Sequence, residues 1–189
     1  SNLNVPAENY PFCTIDPNVA KINIPDERFN VLCDIYKKIK VEAQFNITDI
    51  AGLVRGASEG KGLGNAFLSH ISAVDGMYHV VWAFDDESII HDEGDVNPIW
   101  DLDIIHTEMI KKDIQHLDKW IHELDVFITK KPEKIYKDEL TVLEKVKEVF
   151  ALGLWVKDAD WSTTEIEWLN THSFLTAKPV VYLVNISED

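Results

Sequence analysis

The chain has 189 residues, of which 46% are hydrophobic, and this length and composition suit one domain, with or without an inserted subdomain. Its 33 acidic residues outnumber its 18 basic ones and give a net charge of −15 at pH 7, so we expect no direct nucleic-acid grip by this segment. The longest nearly apolar run, residues 77–84, is too short to cross a bilayer and the two cysteines show no paired spacing, so we expect a cytoplasmic protein with no membrane association.

Strands and helices alternate through most of the chain. Apolar alternation and short apolar runs predict four strands: residues 19–24, 45–49, 79–84 and 178–185. The third is continuous enough to be buried on both faces, and the fourth is also expected to be buried. Helices are predicted from residue 25 onward, with an acidic first turn, and over residues 66–74. This order of elements predicts an α/β sheet.

A helical insertion interrupts that order. Apolar residues recur in alternating steps of four and three, the rhythm of a coiled coil, at Ile110, Ile114, Leu117, Ile121, Leu124 and Ile128. A second series follows at Leu143, Val146, Phe150 and Leu154. The segment between them, residues 129–137, contains Pro132, so we expect two antiparallel helices joined by a short turn. Whether they project as an arm or lie across a domain is left open. Ser162 and Glu165 then form a capping-box signature for a helix over residues 165–171.

The stretch after the second strand is rich in glycine. Residues 56–62 (GASEGKG) do not form a Walker A motif, because the glycines are one residue too close and Gly62 replaces the hydroxyl that binds magnesium. Just upstream, Asp49 and Gly52 have the D-x-x-G arrangement. There an Asp at a strand end approaches magnesium through water, and a glycine N–H meets the γ-phosphate. A plain turn is the alternative for so short a pattern.

Four segments carry a more specific signal in their order along the chain. They are residues 9–18 (NYPFCTIDPN), 49–57 (DIAGLVRGA), 60–65 (GKGLGN) and 183–188 (LVNISE). Together they resemble the successive motifs of the Obg-like ATPase (YchF) family of translation-factor-related P-loop NTPases, over essentially the whole chain. The resemblance implies a Ras-like G domain with a mostly parallel α/β sheet and an inserted antiparallel two-helix coiled-coil arm.

The same resemblance implies a division of the chain into three parts. Residues 1–98 would form a G-domain part with switches I and II, residues 99–160 the coiled-coil insertion, and residues 161–189 a G-domain part that ends in the base-recognition motif.

A magnesium site is also implied by the resemblance. Thr14 is similar to the switch I threonine, whose hydroxyl binds Mg²⁺ in the triphosphate state. Asp49 and Gly52 are similar to the switch II pair, with Asp49 toward the metal and Gly52 toward the nucleotide. For Thr14 the alternative is an ordinary loop threonine in a proline-rich turn.

The resemblance places Asn185, Ile186 and Glu188 in the base-recognition motif. In related GTPases this motif is N-K-x-D, and its Asp accepts two hydrogen bonds from guanine. Glu188 is one methylene longer than Asp, and adenine lacks both donors, so the resemblance implies ATP rather than GTP. A strand-end turn with a helix cap is the alternative for these residues.

Catalysis requires a group that orients the attacking water, and many GTPases place a Gln directly after D-x-x-G. Here that position is Leu53, which can neither donate nor accept a hydrogen bond. The resemblance points instead to His91, whose neutral imidazole would hold water or accept a proton, although Asp92 and Glu93 favour its charged form. A surface histidine is the alternative. The other histidines show no metal-ligand spacing, so we expect structural or solvated roles for them.

No Walker A motif precedes Ser1 in this sequence, and Asp189 comes before the family's C-terminal TGS domain, so we expect an excerpt or fragment of a longer protein. The family's first strand would lie in the middle of the sheet, and its absence would expose ladder groups and apolar faces of its neighbours. Because the main phosphate cradle and its lysine would also be missing, we expect this fragment alone to bind nucleotide poorly and to be inactive.

The whole protein is expected to be a slow, Mg²⁺-dependent ATPase that acts as a conformational switch, with the ribosome or other translation- and stress-related partners. Two alternatives remain open. One is a GTPase. The other is a non-catalytic interaction module whose acidic coiled-coil arm docks a basic partner.

Overall fold

The computed structural model describes residues 18–50, 64–84 and 96–187. Within it the chain forms two compact units, Ser1–Gly52 and Leu53–Asp189, which we call the first and the second unit. The described strands and helices confirm the predicted α/β class. The predicted division into three parts is a different partition of the chain and stays a prediction.

The described part of the first unit contains an antiparallel strand pair and one helix. Strand β1 (Asn18–Asn23) pairs with β2 (Gln44–Asp49) in a register that sets Asn18 opposite Asp49. Helix α1 (Glu27–Tyr36) begins after Asp26, whose carboxylate accepts a 2.9 Å hydrogen bond from the Arg28 N–H, as an N-cap should. The helix therefore begins where the sequence predicts it. Within it, the Cys33 thiol is free and buried.

The second unit contains a parallel strand pair. Helix α2 (Gly64–Ser72) precedes β3 (Met77–Trp82), which pairs with β4 (Val180–Asn185) in a register running from Met77↔Val180 to Trp82↔Asn185. All four predicted strands are thus present, each within two residues of its predicted bounds. The described strands form two separate two-stranded sheets.

The prediction that the third strand is buried on both faces is wrong, and so is the expected burial of the fourth. Val81 is buried, but Tyr78 and Val80 on the opposite face of β3 are 53% and 64% exposed, and Val181 and Leu183 on β4 are exposed beside them. A strand is buried on both faces only where a layer of structure covers each face.

Two helices form the predicted antiparallel pair, which we call the hairpin. Helix α3 (Pro98–Lys130) has 33 residues and α4 (Lys134–Ala151) has 18. Lys147 of α4 contacts Asp118 of α3, and Tyr136 stacks on Phe127, so the chain direction reverses between the helices. The predicted two-helix insertion is therefore present, joined by residues 131–133.

The main core lies where the hairpin meets the segment before β4. This segment contains the one-turn 3₁₀ helices Val156–Asp158 and Leu175–Ala177 and helix α5 (Thr163–Leu169). The core residues are Leu117, Leu124, Val142, Leu143, Val146, Phe150, Val156, Leu169 and Phe174. Helix α5 has the predicted capping box: Ser162 Oγ accepts from the Glu165 N–H at 3.3 Å, and the Glu165 carboxylate accepts from the Ser162 N–H at 2.7 Å.

None of the helices in the described ranges combines the length and apolar character needed to cross a membrane.

Candidate nucleotide site

Asp49 is the last residue of β2, and its side chain is exposed. The predicted position of this carboxylate at a strand end is thus confirmed, whereas its role stays a prediction. An exposed carboxylate offers the oxygen ligands that Mg²⁺ prefers, so Asp49 fits the magnesium role on chemical grounds. The next residues of the predicted switch II, including Gly52 and Leu53, lie outside the described residues.

Asn185 is the last residue of β4 and is followed by Ile186, which is 67% exposed. The Asn185 carbonyl accepts a 2.9 Å hydrogen bond from the Ala83 N–H, one residue past the end of β3. Because the two parallel strands end side by side, the segments that follow them leave the sheet at one edge. In open α/β sheets this carboxyl edge is where ligands bind.

The segments that leave this edge carry two more of the predicted site residues. His91 follows β3 and Glu188 follows β4, and both lie outside the described residues, as does Thr14. The structure therefore describes the strand ends that precede His91 and Glu188 in the chain. The functional roles of His91, Glu188 and Thr14 stay predictions. Asp49 belongs to the first unit and Asn185 to the second.

A cluster of rings lies on the sheet face next to α3. His106 Nε2 of α3 is 2.9 Å from the Tyr182 hydroxyl of β4, and the His106 ring lies 4.5 Å from that of Trp155 and 6.4 Å from that of His79 on β3. Burial lowers the pKa of both imidazoles. Burial therefore favours the neutral form of both histidines, in agreement with the structural role that the sequence predicts.

Asp113 is a buried carboxylate that the sequence analysis missed. It accepts hydrogen bonds from the Leu175 N–H at 2.9 Å and from the N–H and hydroxyl of Thr176 at 2.9 and 2.7 Å. Burial raises its pKa to about 6 despite these bonds. Asp113 lies three residues after Ile110 and four before Leu117, so it falls within the apolar stripe of the predicted helix. A carboxylate in such a stripe is the sequence signal that could have identified Asp113 as buried. Its bonds fix the turn that leads into β4.

Within the described ranges, no group of three or more His, Cys, Asp or Glu side chains is arranged to hold a metal ion. Four of the histidines described there, His79, His106, His116 and His172, lie in ring contacts, and His172 also contacts Glu139 at 3.1 Å. The predicted magnesium ligands are Asp49 and Thr14, and only Asp49 is among the described residues.

Three comparisons with known proteins agree. Residues 1–152 match the sequence profile of a family described as 50S ribosome-binding GTPase. Obg-like ATPase 1 of Oryza sativa subsp. indica is 51% identical over 189 residues, which is the whole of this chain and 48% of the relative. Obg-like ATPase 1 of Homo sapiens is 48% identical over 197 residues, and this match also covers the whole of this chain and 48% of the relative.

The fold matches a solved structure as well, described as the Schizosaccharomyces pombe YchF GTPase. The TM-score is 0.73 and the identity 48%, over 95% of this chain and 49% of that one. The chain therefore spans about half the length of the relatives that it matches.

Proposed function

Because this chain belongs to the 50S ribosome-binding GTPase family, in its Obg-like ATPase (YchF) branch, we propose that the whole protein binds ATP with Mg²⁺ and hydrolyses it slowly as a conformational switch. The observation that carries the proposal is the shared edge of β3 and β4, marked by the Ala83 to Asn185 hydrogen bond. From this edge one segment leads to His91 and the other to Glu188.

Each residue of the proposed site has a separate task. Asp49 and Thr14 would hold Mg²⁺, which supplies charge neutralisation for the β- and γ-phosphates when it is bound. Gly52 would offer its N–H to the terminal phosphate. His91 would orient the attacking water, because Leu53 has no polar atom with which to do so.

Base selection is assigned to the end of β4. Asn185, with Ile186 beside it, would contact the base, and Glu188 would disfavour guanine because its longer side chain changes the geometry of the two hydrogen bonds that an Asp accepts. We therefore propose ATP over GTP. The specific second candidate is a GTPase, which is favoured by the description of the matched family and by that of the solved structure.

Turnover measurements on the full-length protein test this proposal. Asp49→Ala and His91→Ala are each expected to lower the ATP turnover number by about a hundredfold. This is the loss expected when a group that holds the charge-neutralising metal ion or positions the attacking water is removed. His122→Ala, at an exposed position on α3, is the matched control and should leave turnover unchanged. Unchanged turnover in the Asp49 variant would favour the non-catalytic interaction module.

Nucleotide competition tests the base preference. ATP is expected to displace a fluorescent ATP analogue from the full-length protein, and GTP to displace it poorly. Glu188→Asp should strengthen competition by GTP by about tenfold, the value of one or two hydrogen bonds. Stronger competition by GTP than by ATP in the unsubstituted protein would establish the GTPase alternative.

The cellular setting is proposed on the same basis. We infer a cytoplasmic protein whose partners are the ribosome or other components of translation, in keeping with the description of the matched family. Cosedimentation of the full-length protein with ribosomal particles, with and without ATP, tests this association.

A further inference from the structure

The segment just before β4, residues 175–179, contacts both the hairpin and the end of α2, and we call it the junction. Leu175 and Thr176 within it are completely buried. Leu175–Ala177 forms one turn of 3₁₀ helix, and the Lys178 N–H donates a 3.2 Å hydrogen bond back to the Leu175 carbonyl. The junction is therefore a short piece of chain with its own internal bonds, so a force on one of its residues is passed to the next.

The hairpin holds the junction through Asp113 of α3. The Asp113 carboxylate accepts hydrogen bonds from the Leu175 N–H at 2.9 Å and from the N–H and hydroxyl of Thr176 at 2.9 and 2.7 Å. Asp113 is completely buried, so water does not compete for these bonds. A displacement of α3 at this level would therefore carry Thr176 with it.

The junction in turn holds the end of α2 through Lys178. The Lys178 ammonium donates hydrogen bonds to the backbone carbonyl of Ser72, at 3.1 Å, and to that of Val74. Ser72 is the last residue of α2, and the final carbonyls of a helix have no partner within it and carry partial negative charge. A half-buried lysine more than 100 residues away in sequence thus supplies the C-terminal cap of α2.

The turn between α2 and β3 also approaches the junction closely. The Met77 N–H donates a 3.0 Å hydrogen bond to the Pro179 carbonyl. A Cβ added at Gly76 would lie 3.1 Å from Pro179 Cγ and 3.2 Å from the Pro179 carbonyl oxygen, so a larger residue there would have to displace its neighbours. The end of α2 is therefore held at two points, by the Lys178 side chain and by Pro179.

We infer that Lys178 and Asp113 are positioning residues for nucleotide hydrolysis, because together they fix the end of α2 to α3 of the hairpin. Helix α2 begins at Gly64, at the end of the glycine-rich stretch that follows Asp49 and Gly52. The junction precedes β4, whereas the proposed nucleotide edge lies beyond the other end of that strand. The inference rests on the proposed function and adds to it two residues that do not touch the nucleotide.

Steady-state kinetics of the full-length protein test this positioning role. Lys178→Met keeps the apolar stem but removes both hydrogen bonds to α2. It should lower kcat for ATP by about tenfold and leave KM nearly unchanged, because the proposed base contacts beyond β4 stay in place. Lys178→Arg can still donate to both carbonyls and should restore most of the turnover. An unchanged kcat in Lys178→Met would overturn the inference.

Lys145→Met on α4 is the matched control for lost stability. Lys145 also donates to a backbone carbonyl, that of Asp160 at 3.0 Å, and it is bonded to Glu165 at 2.8 Å. The control should lower the denaturant midpoint at least as much as Lys178→Met does, but it should leave kcat unchanged because it removes no contact with α2. An equal fall of kcat in the two variants would assign the effect to general destabilisation and overturn the inference.

The link to the hairpin is tested by combining Asp113→Asn with Lys178→Met. If both side chains act through the junction, the double variant should lose little more turnover than the more severe single variant, because residues that share one network are not additive. Each variant is measured well below its unfolding midpoint. Losses that multiply would show that the two residues act independently, which would overturn the role of Asp113.

Hydrogen exchange separates a failure of this inference from a failure of the proposed function. At the end of α2 the Ala73 and Val74 N–H groups donate to the His70 and Ile71 carbonyls, and both amides should exchange several-fold faster in Lys178→Met without nucleotide. Absence of ATP turnover in the unsubstituted protein would overturn the proposed function and the positioning role with it. Normal ATP turnover with unchanged exchange in Lys178→Met would overturn this inference alone.

Discussion

Asp113 and Thr176 are 63 residues apart in sequence, yet the Asp113 carboxylate accepts hydrogen bonds from both the backbone N–H and the hydroxyl of Thr176. The contact joins the middle of α3 to the turn just before β4. It therefore links the hairpin to the strand that ends in the proposed base-recognition motif.

We expect Asp113→Asn to lower the free energy of unfolding by about 2 kcal/mol at neutral pH. The side-chain amide nitrogen of the variant would face the Leu175 N–H or the N–H and hydroxyl of Thr176, which would then lack an acceptor. A buried donor without an acceptor costs about 2 kcal/mol. Urea unfolding measures the loss. Asp125→Asn, at an exposed position on the same helix, is the control and should change stability by less than about 0.5 kcal/mol.

The same carboxyl sets a pH dependence whose sign follows from its pKa. Burial raises the pKa of Asp113 from its ordinary 3.8 to about 6 in the folded state, so protonation favours folding. Its contribution to stability is full below about pH 4 and is lost as the pH rises to about 6. Asp113→Asn should remove this part of the pH profile. A profile that keeps its shape in the variant would assign the dependence to other groups.

The histidine cluster should produce a dependence of the opposite sign. Burial lowers the pKa of His79 and of His106. The negative charge of Asp101 opposes the shift at His79, and those of Asp103 and Asp158 oppose it at His106. The positive charge of Lys157 lowers the pKa of His106 further. A base whose folded pKa is depressed stabilises the protein above its unfolded pKa of about 6.5, and this stability is lost as the pH falls below that value.

His106→Gln tests that expectation, because a glutamine keeps a polar partner for the Tyr182 hydroxyl but cannot take up a proton. The fall in unfolding free energy below about pH 6.5 should be shallower in the variant. His122→Gln, at an exposed position on α3, should leave the profile unchanged. Chemical unfolding at a series of pH values distinguishes the two variants.

The capping box of α5 offers a local test. Ser162→Ala removes the acceptor of the Glu165 N–H and should cost about 1 kcal/mol of stability. Ser173→Ala, outside any helix and exposed, is the matched control and should be close to neutral. Thermal unfolding that ranks the two variants equally would show that the cap contributes nothing measurable.

The core between the helices predicts a larger effect. Leu117 is completely buried among α3, α4 and the segment before β4, so Leu117→Ala should lower the free energy of unfolding by about 3 to 5 kcal/mol through lost contacts and a cavity. Leu152→Ala is the control, because this side chain is 75% exposed at the end of α4. Its effect on the denaturant midpoint should be small.

Local signals in the sequence predicted local structure well. The start of α1 near Asp26 and the capping box at Ser162 and Glu165 depend on side chains that bond within three residues, so a short window contains the required information. The hairpin followed from a repeat in which each apolar residue marks the same helical face. The strand ends at Asp49 and Asn185, where two of the proposed site residues stand, were predicted from similarly local patterns.

Long-range features were beyond such windows. The partners of Asp113 are more than 60 residues away, and the exposure of Tyr78 and Val80 depends on what covers the sheet rather than on the strand itself.

The short connection of the hairpin has a consequence for the order of folding. Pairing β3 with β4 closes a loop that runs from Trp82 to Val180, and long loops of flexible chain are slow to close. The hairpin needs only local contacts across residues 131–133, so α3 and α4 should gain protection in pulsed hydrogen exchange before β4 does. Once formed, the hairpin folds most of the intervening chain back on itself. Strand β4 then pairs with β3 by closing a loop whose flexible part is much shorter.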